Sequence, residues 1–233
     1  MDPTNRPRFA IYFAPGDDDP LWELGTSWLG RDARSGFEAA QPEVPGVSKD
    51  RFAELTAAPR AYGFHATLKA PFILKKGCSF NTLEERCQKF AAELGRVRAA
   101  DLQVGELGGF LALVTGNRAT TIHQLAAACV ESFDDLRAPP DPDELKRSQP
   151  GLTELQAALL ERWGYPYVME AFRFHMTLSS PLGEEEREGL ADFARTHFGS
   201  RLGEDLVIDA ISLFAQPDLR APFREIARFP LTG

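Results

Sequence analysis

Four residues in two copies of one short pattern carry the clearest chemistry in this sequence. Phe64-His65-Ala66-Thr67-Leu68, two residues and then Pro71-Phe72 are matched by Phe174-His175-Met176-Thr177-Leu178, two residues and then Pro181-Leu182. In a strand, residues two apart share a face. Each copy therefore sets an imidazole beside a hydroxyl on one side and three apolar side chains on the other. A neutral imidazole takes a proton from an attacking water or hydroxyl, and a protonated one gives a proton to a leaving oxygen. Threonine hydroxyls donate to non-bridging phosphate oxygens, where transition-state charge builds up. Two such strands brought together suit phosphoester chemistry that needs no metal. A single His-x-Thr says nothing. Two copies in apolar strands, each followed by Leu and by Pro at the same offset, use two of only four histidines in the chain. The competing reading is a pair of core histidines, each bonded to its neighbouring threonine.

The elements that must position these residues follow from periodicity and punctuation. Arg8 to Ala14 reads as a strand stopped by Pro15-Gly16. Leu21 to Leu29 and Ser48 to Leu55 read as helices, the second with Ser48 as N-cap. Tyr62 to Leu68 reads as the first motif strand, ended by Pro71. A helix over Thr82 to Leu94, with Asn81 as N-cap and Glu84 three residues on, precedes a hairpin of Leu102–Leu107 and Phe110–Thr115 around Gly108-Gly109. Thr121 to Phe133 and Thr153 to Trp163 are helical. Phe172 to Leu178 is the second motif strand, followed by a helix over Glu184 to Phe198 and strands over Leu206–Phe214 and Phe223–Phe229. After each motif the order is the same: helix, strand, turn, strand. Copies about a hundred residues apart suggest two similar lobes, not a solenoid with a period of about 20 to 50 residues. The expected repeat units are 8–136 and 151–233, joined by a Pro-rich, charged linker over 137–150. The catalytic face requires the two lobes to pack with their motif faces opposed.

Cations flanking the motifs are candidates for holding a phosphate. By alternation Lys69 lies two beyond Thr67, and Arg173 two before His175. Parity favours these two, with Gly63, over Tyr62; Arg60 lies before the strand. Lys146-Arg147 in the linker is a second basic candidate, better read as a solvated pair. Tyr12 and Tyr165 or Tyr167 are stacking candidates, though strand aromatics more often pack the core. His123 and His197 sit in helices and read as surface or dipole-compensating groups. Neither His65 nor His175 has a chelating neighbour at metal-site spacing, and no phosphate-binding glycine loop is present; no metal or cofactor is expected.

Composition sets bounds on the reading. The 233 residues are 43% hydrophobic and 26% charged, enough for a core. Lys and Arg total 26 against 34 Asp and Glu, a formal charge of −8, which argues against a broad nucleic-acid-binding surface. No stretch is long and apolar enough to span a bilayer, and no signal-peptide core follows the polar N-terminus. The three cysteines fit no metal spacing and read as reduced thiols of a cytoplasmic protein.

The paired motifs resemble those of the two-histidine (2H) phosphoesterase superfamily, the LigT-like proteins. The blocks Tyr62-Gly63-Phe64-His65-Ala66-Thr67-Leu68-Lys69, Trp163 to Tyr167 and Phe172 to Leu178 look like a branch often encoded beside phosphonate-utilisation genes. The resemblance spans most of the chain. It implies an α+β fold: a bilobal duplication with antiparallel sheets flanking a central cleft and helices outside. It also implies opening of 2′,3′-cyclic phosphates or processing of RNA ends, usually without a metal. His65, Thr67, His175 and Thr177 carry over directly; which histidine is acid and which is base does not. The leading expectation is a phosphoesterase that opens a cyclic phosphodiester of a small ribose or nucleotide-like compound, its partner a small phosphorylated substrate and not long nucleic acid. The alternatives are an RNA-end phosphodiesterase or 2′-5′ RNA ligase-like enzyme, and a non-catalytic module that binds a phosphoryl ligand.

Overall fold

The computed structural model describes residues 6–116, 120–140 and 150–233. Lys146-Arg147 and most of the linker expected over 137–150 lie outside the described residues. The chain is α+β. Its strands are β1 (Arg8–Phe13), β2 (Ala66–Phe72), β3 (Val97–Ala99), β4 (Leu102–Leu107), β5 (Phe110–Thr115), β6 (Met176–Thr177), β7 (Leu206–Ile208), β8 (Ala210–Gln216) and β9 (Arg224–Pro230). Its α-helices among the described residues are α1 (Pro20–Leu29), α2 (Lys49–Leu55), α3 (Ala57–Tyr62), α4 (Phe80–Ala92), α5 (Thr120–Ser132), α6 (Glu154–Trp163) and α7 (Glu184–His197). Among the described residues seven strands form one antiparallel sheet in the order β4-β5-β6-β2-β1-β8-β9, and β3 pairs with β7 apart from it.

The duplicated order of elements is visible in space. β2, α4, β3 and the β4–β5 hairpin correspond to β6, α7, β7 and the β8–β9 hairpin. The copies interlock. β2 pairs with β6 and β3 with β7. The hairpin that follows β2 extends the sheet from β6, while the hairpin that follows β6 joins the sheet through β1, beside β2. α4 packs on β8 and β9, and α7 on β4. Each copy thus supplies the hairpin that completes the other copy's half of the sheet. The two motif strands meet as neighbours, side by side, instead of as opposed faces.

Several boundaries differ from the sequence reading, each for a local reason. The residues before the first motif are α3 and a turn, and β2 runs on through Pro71. Proline is tolerated there because β6 pairs with β2 only at Ala66, leaving that edge without a ladder partner at position 71. The second motif strand shrinks to Met176–Thr177, preceded by a 3₁₀ turn at Met169–Ala171. Ser79, not Asn81, caps α4: its hydroxyl accepts from the Thr82 amide at 3.1 Å. The strand expected over Leu206–Phe214 divides at Asp209 because β7 pairs with β3 and β8 with β1 and β9. Ser48 and Thr153 cap their helices as expected, Thr153 in a full capping box with Gln156.

The apolar motif face forms the core. Phe64, Ala66, Leu68, Phe174, Met176 and Leu178 are all buried. α1 locks the end of β6, with the Trp28 indole donating to the Leu178 carbonyl at 2.8 Å. Met176, wholly buried between Ala66 and Leu113 of the two neighbouring strands, is the keystone of this junction. Met176→Ala is expected to destabilise the fold by about 2 to 5 kcal/mol, lowering the melting temperature by several degrees. A melting curve unchanged within a degree would contradict its placement.

Candidate active site

The register of β2 against β6 assembles the four motif residues. Ala66 lies opposite Met176, both facing the core. In an antiparallel pair, opposite residues point to the same face, so the flanking positions all turn to the other side. Continuing the register sets Thr67 opposite His175 and His65 opposite Thr177. Each imidazole is therefore across from the other copy's hydroxyl, and the two histidines form a diagonal pair. Diagonal neighbours of this kind lie about 7 to 8 Å apart, their Cβ atoms somewhat closer, a gap that accommodates a phosphoryl group between two ring nitrogens.

Both imidazoles are anchored the same way. His65 Nδ1 donates to the Gly63 carbonyl at 2.9 Å, and His175 Nδ1 donates to the Arg173 carbonyl at 2.8 Å. Each carbonyl belongs to the residue two before the histidine. A carbonyl only accepts, so Nδ1 carries hydrogen in both rings and Nε2 is the nitrogen free for proton transfer. Thr67 Oγ1 lies 3.2 Å from His65 Nε2 and donates to it when the ring is neutral. This is the His–Thr contact that the core reading anticipates; the His65 ring packs there against the buried Tyr12 and Phe214, while His65 and Thr67 themselves stay partly exposed.

The surroundings of the two rings differ. His65 stacks on Tyr12, with centroids 3.7 Å apart and planes 21° off parallel. Tyr62 and Phe214 close in at 6.3 and 6.0 Å. His175 is half-buried, with Phe110 tilted against it at 5.8 Å. Burial pushes the His65 pKa down to about 4, with the nearby His175 charge a lesser cause in the same direction. His65 is thus held neutral. Burial also raises Tyr12 well above the ordinary phenol range, with Tyr62 and Tyr165 adding to the shift. Tyr165 is raised chiefly by burial too, with Tyr167 and Tyr62 contributing. Tyr12 and Tyr62 both lie against His65, and Tyr165 packs edge-on against Tyr167 at 5.6 Å.

The flanking cations divide. Arg173 is exposed beside His175. Tyr62 is partly exposed and stacks on Phe223 at 5.3 Å. Arg60 is drawn away to the Gly30 carbonyl at 3.0 Å and to Glu38 at 3.5 Å. Lys69 is not on the catalytic face, so the alternation argument fails there. Tyr12 pairs with Thr67 but Ile11 pairs with Lys69, leaving one extra residue on β2. That β-bulge at Leu68 resets the alternation, and Lys69 turns to the core side. Its ammonium donates to the Val130 carbonyl at 3.0 Å and approaches Asp134 at 3.5 Å. Burial lowers its pKa to about 8, against the opposing pull of Asp134. Of the other histidines, His123 is exposed with its ring against Phe172, and His197 donates to the Leu24 carbonyl at 2.9 Å, tying α7 to α1. Cys87 and Cys129 are buried and unbonded to sulfur, the Cys87 thiol pushed up to about 12 by burial. Among the described residues no three His, Cys, Asp or Glu gather as a metal-binding group, and no helix is long and apolar enough to cross a membrane.

Sequence reasoning missed the part played by β1. Arg8 and Tyr12 share the face of His65 because Tyr12 is opposite Thr67 and positions two and four apart along a strand share a face. Their alternation was legible; that β1 would lie beside β2 was not.

A family model described as "Protein of unknown function (DUF1045)" matches residues 67–224. The chain belongs to this family. Among curated proteins it is 40% identical over 231 residues to the ribose 1,5-bisphosphate phosphokinase PhnN of Janthinobacterium sp. (strain Marseille), covering 97% of this chain and 51% of that protein. This DUF1045 member spans about half the length of the curated relatives it matches. Solved structures similar to it include TT0787 of Thermus thermophilus (TM-score 0.49, 12% identity, 97% of this chain and 98% of that one). LigT of E. coli complexed with NADP+ is another (TM-score 0.44, 12% identity, 97% and 98% covered).

Two expectations follow from this geometry. His65 should stay neutral down to about pH 4, read by NMR titration of its ring; a midpoint near 6.5 would contradict its burial. Unfolded, the same ring takes its proton near 6.5, so stability should fall as pH drops from about 6.5 through about 4. Gly63 sits at φ 84°, and a Cβ there would lie 2.5 Å from the Ala33 Cβ. Gly63→Ala should therefore cost about 1 to 3 kcal/mol in strain and lower activity by displacing the carbonyl that orients His65. A variant with wild-type melting and turnover would refute that role.

Proposed function

We propose that this protein is a phosphoesterase that opens a cyclic phosphodiester of a small ribose or nucleotide-like compound, using His65 and His175 as its acid–base pair and no metal. The observation that carries this reading is the β2–β6 register, which sets two identically anchored imidazoles, each with Nε2 available, on one face beside two threonine hydroxyls. His65, held neutral, is the base: its Nε2 takes the proton of a water whose oxygen bonds to phosphorus. The ring P–O bond breaks, and Nε2–H of His175 gives a proton to the departing oxygen. The two histidines end with their protonation exchanged, and solvent restores them. Thr67 and Thr177 donate to the non-bridging oxygens as charge builds on them.

The names of the curated relatives support a sugar phosphate as substrate, since they are named for a doubly phosphorylated ribose. Kinase activity is not read onto this chain, which has no phosphate-binding glycine loop. The formal charge of −8 favours a small substrate over long RNA.

The test is hydrolysis in EDTA of 2′,3′-cyclic mononucleotides, a ribose cyclic phosphate and a short RNA with a cyclic end. Wild type is expected to turn over the ribose compound best. His65→Ala and His175→Ala, folded by circular dichroism, should each lose at least about a hundredfold in kcat, as expected for general acid or base removal. Turnover that persists in either variant would overturn the mechanism, and preference for the RNA end would favour the RNA-processing alternative.

A further inference from the structure

Arg8 combines a fixed guanidinium with free donors, unlike the exposed Arg173, whose side chain no hydrogen bond among the described residues holds. Arg8 Nε donates to Gln216 Oε1 at 2.7 Å, and Gln216 is itself fixed, its amide donating to the Ala221 carbonyl at 2.7 Å. The guanidinium carbon sits 5.4 Å from the centre of the Phe223 ring. The group is thus held at one edge and one face. Among the described residues, its two terminal nitrogens have no hydrogen-bond partner, and it has no carboxylate partner. By contrast, Arg31 spends both terminal nitrogens on the Arg60 and Phe223 carbonyls, and Arg224 donates to the Arg34 and Ser35 carbonyls.

The location of Arg8 ties it to the catalytic face. Positions 8, 10 and 12 of β1 alternate onto one side, the side of Tyr12, which stacks on His65. The Phe223 ring that Arg8 lies against is 6.2 Å from Tyr12 and stacks on Tyr62. The positive charge of Arg8 reaches the Tyr12 phenol. Along the strand, four residues at about 3.3 Å each separate the two positions, and the arginine side chain covers part of that distance. The result is a pre-oriented fork of donors one aromatic layer beyond the proton-transfer pair. A fork of this kind matches the oxygens of a phosphate bidentately.

We infer that Arg8 holds a second phosphoryl group of the substrate, so that the preferred substrate carries a phosphomonoester besides the cyclic phosphate that is opened. This rests on the phosphoesterase reading above and narrows its substrate class. It makes Arg8 a specificity residue that contributes to binding and takes no part in proton transfer.

The test compares two ribose cyclic phosphates, one with and one without a 5-phosphate, on wild type, Arg8→Ala and Arg8→Lys. Calorimetric binding of ribose 5-phosphate runs in parallel. Wild type should have a KM about tenfold to a hundredfold lower for the doubly phosphorylated compound, the range expected for charge-assisted hydrogen bonds. Arg8→Ala should erase that advantage and leave kinetics on the singly phosphorylated compound unchanged. Arg8→Lys, which keeps the charge without the fork, should restore it in part and guards against a folding defect in the alanine variant. Equal effects of Arg8→Ala on both compounds, or no wild-type preference, would overturn the inference. If neither compound is turned over, ribose 5-phosphate decides. Binding weakened by Arg8→Ala would keep the subsite while the phosphoesterase reading fails. Binding that is absent, or unaffected by the substitution, would sink the subsite as well.

Discussion

One cross-strand pair, Ala66 opposite Met176, sets both histidines and both threonines of the repeated motif on one face of the sheet. Side chains alternate along a strand with a period of two, so a slip of one residue in either strand would bury the imidazoles and expose Phe64 and Phe174. The register is specified twice over. The apolar face is buried against the core, which penalises any slip by the exposure of large side chains. Contacts outside the ladder then pin the end of β6: the Trp28 indole on the Leu178 carbonyl, and the Leu178 amide on the Leu111 carbonyl. The two-residue strand β6 fixes Thr177, and His175 just before it, because its neighbours leave it one place to sit.

Within that symmetric frame the two histidines are not equivalent. Their Nδ1 anchors are the same, which fixes the same tautomer at both positions. Their environments differ because β1 inserts between β2 and the second hairpin, carrying Tyr12 over the His65 ring, whereas β6 is followed directly by β5 and Phe110. Desolvation under Tyr12 keeps His65 neutral, while the His175 ring stays more accessible to solvent. A duplicated motif thus acquires two environments through the packing around it, with no change in the motif itself.

Much of this was legible in the sequence, and the gaps have physical causes. The paired motifs, the face each side chain occupies, the repeated order of elements and the caps at Ser48 and Thr153 are all local patterns. Lys69 was misplaced because a bulge at Leu68 depends on how β2 meets β1, which no alternation within β2 reveals. The expectation of opposed faces gave way to adjacent strands because the hairpins are exchanged between the two halves, a non-local pairing. Arg8 went unassigned to the site, and Tyr12 was named only as a stacking candidate, for the same reason: strand order decides which residues share a surface, and strand order is a property of the whole sheet.

The most direct test of the central claim is a crystal structure with vanadate bound, since its five-coordinate geometry mimics phosphoryl transfer with entering and leaving oxygens at opposite apices. The account predicts one apical oxygen within hydrogen-bond distance of His65 Nε2 and the other within reach of His175 Nε2, with Thr67 and Thr177 on the equatorial oxygens. Vanadate bound away from the pair, or held by one imidazole with the other turned aside, would contradict it.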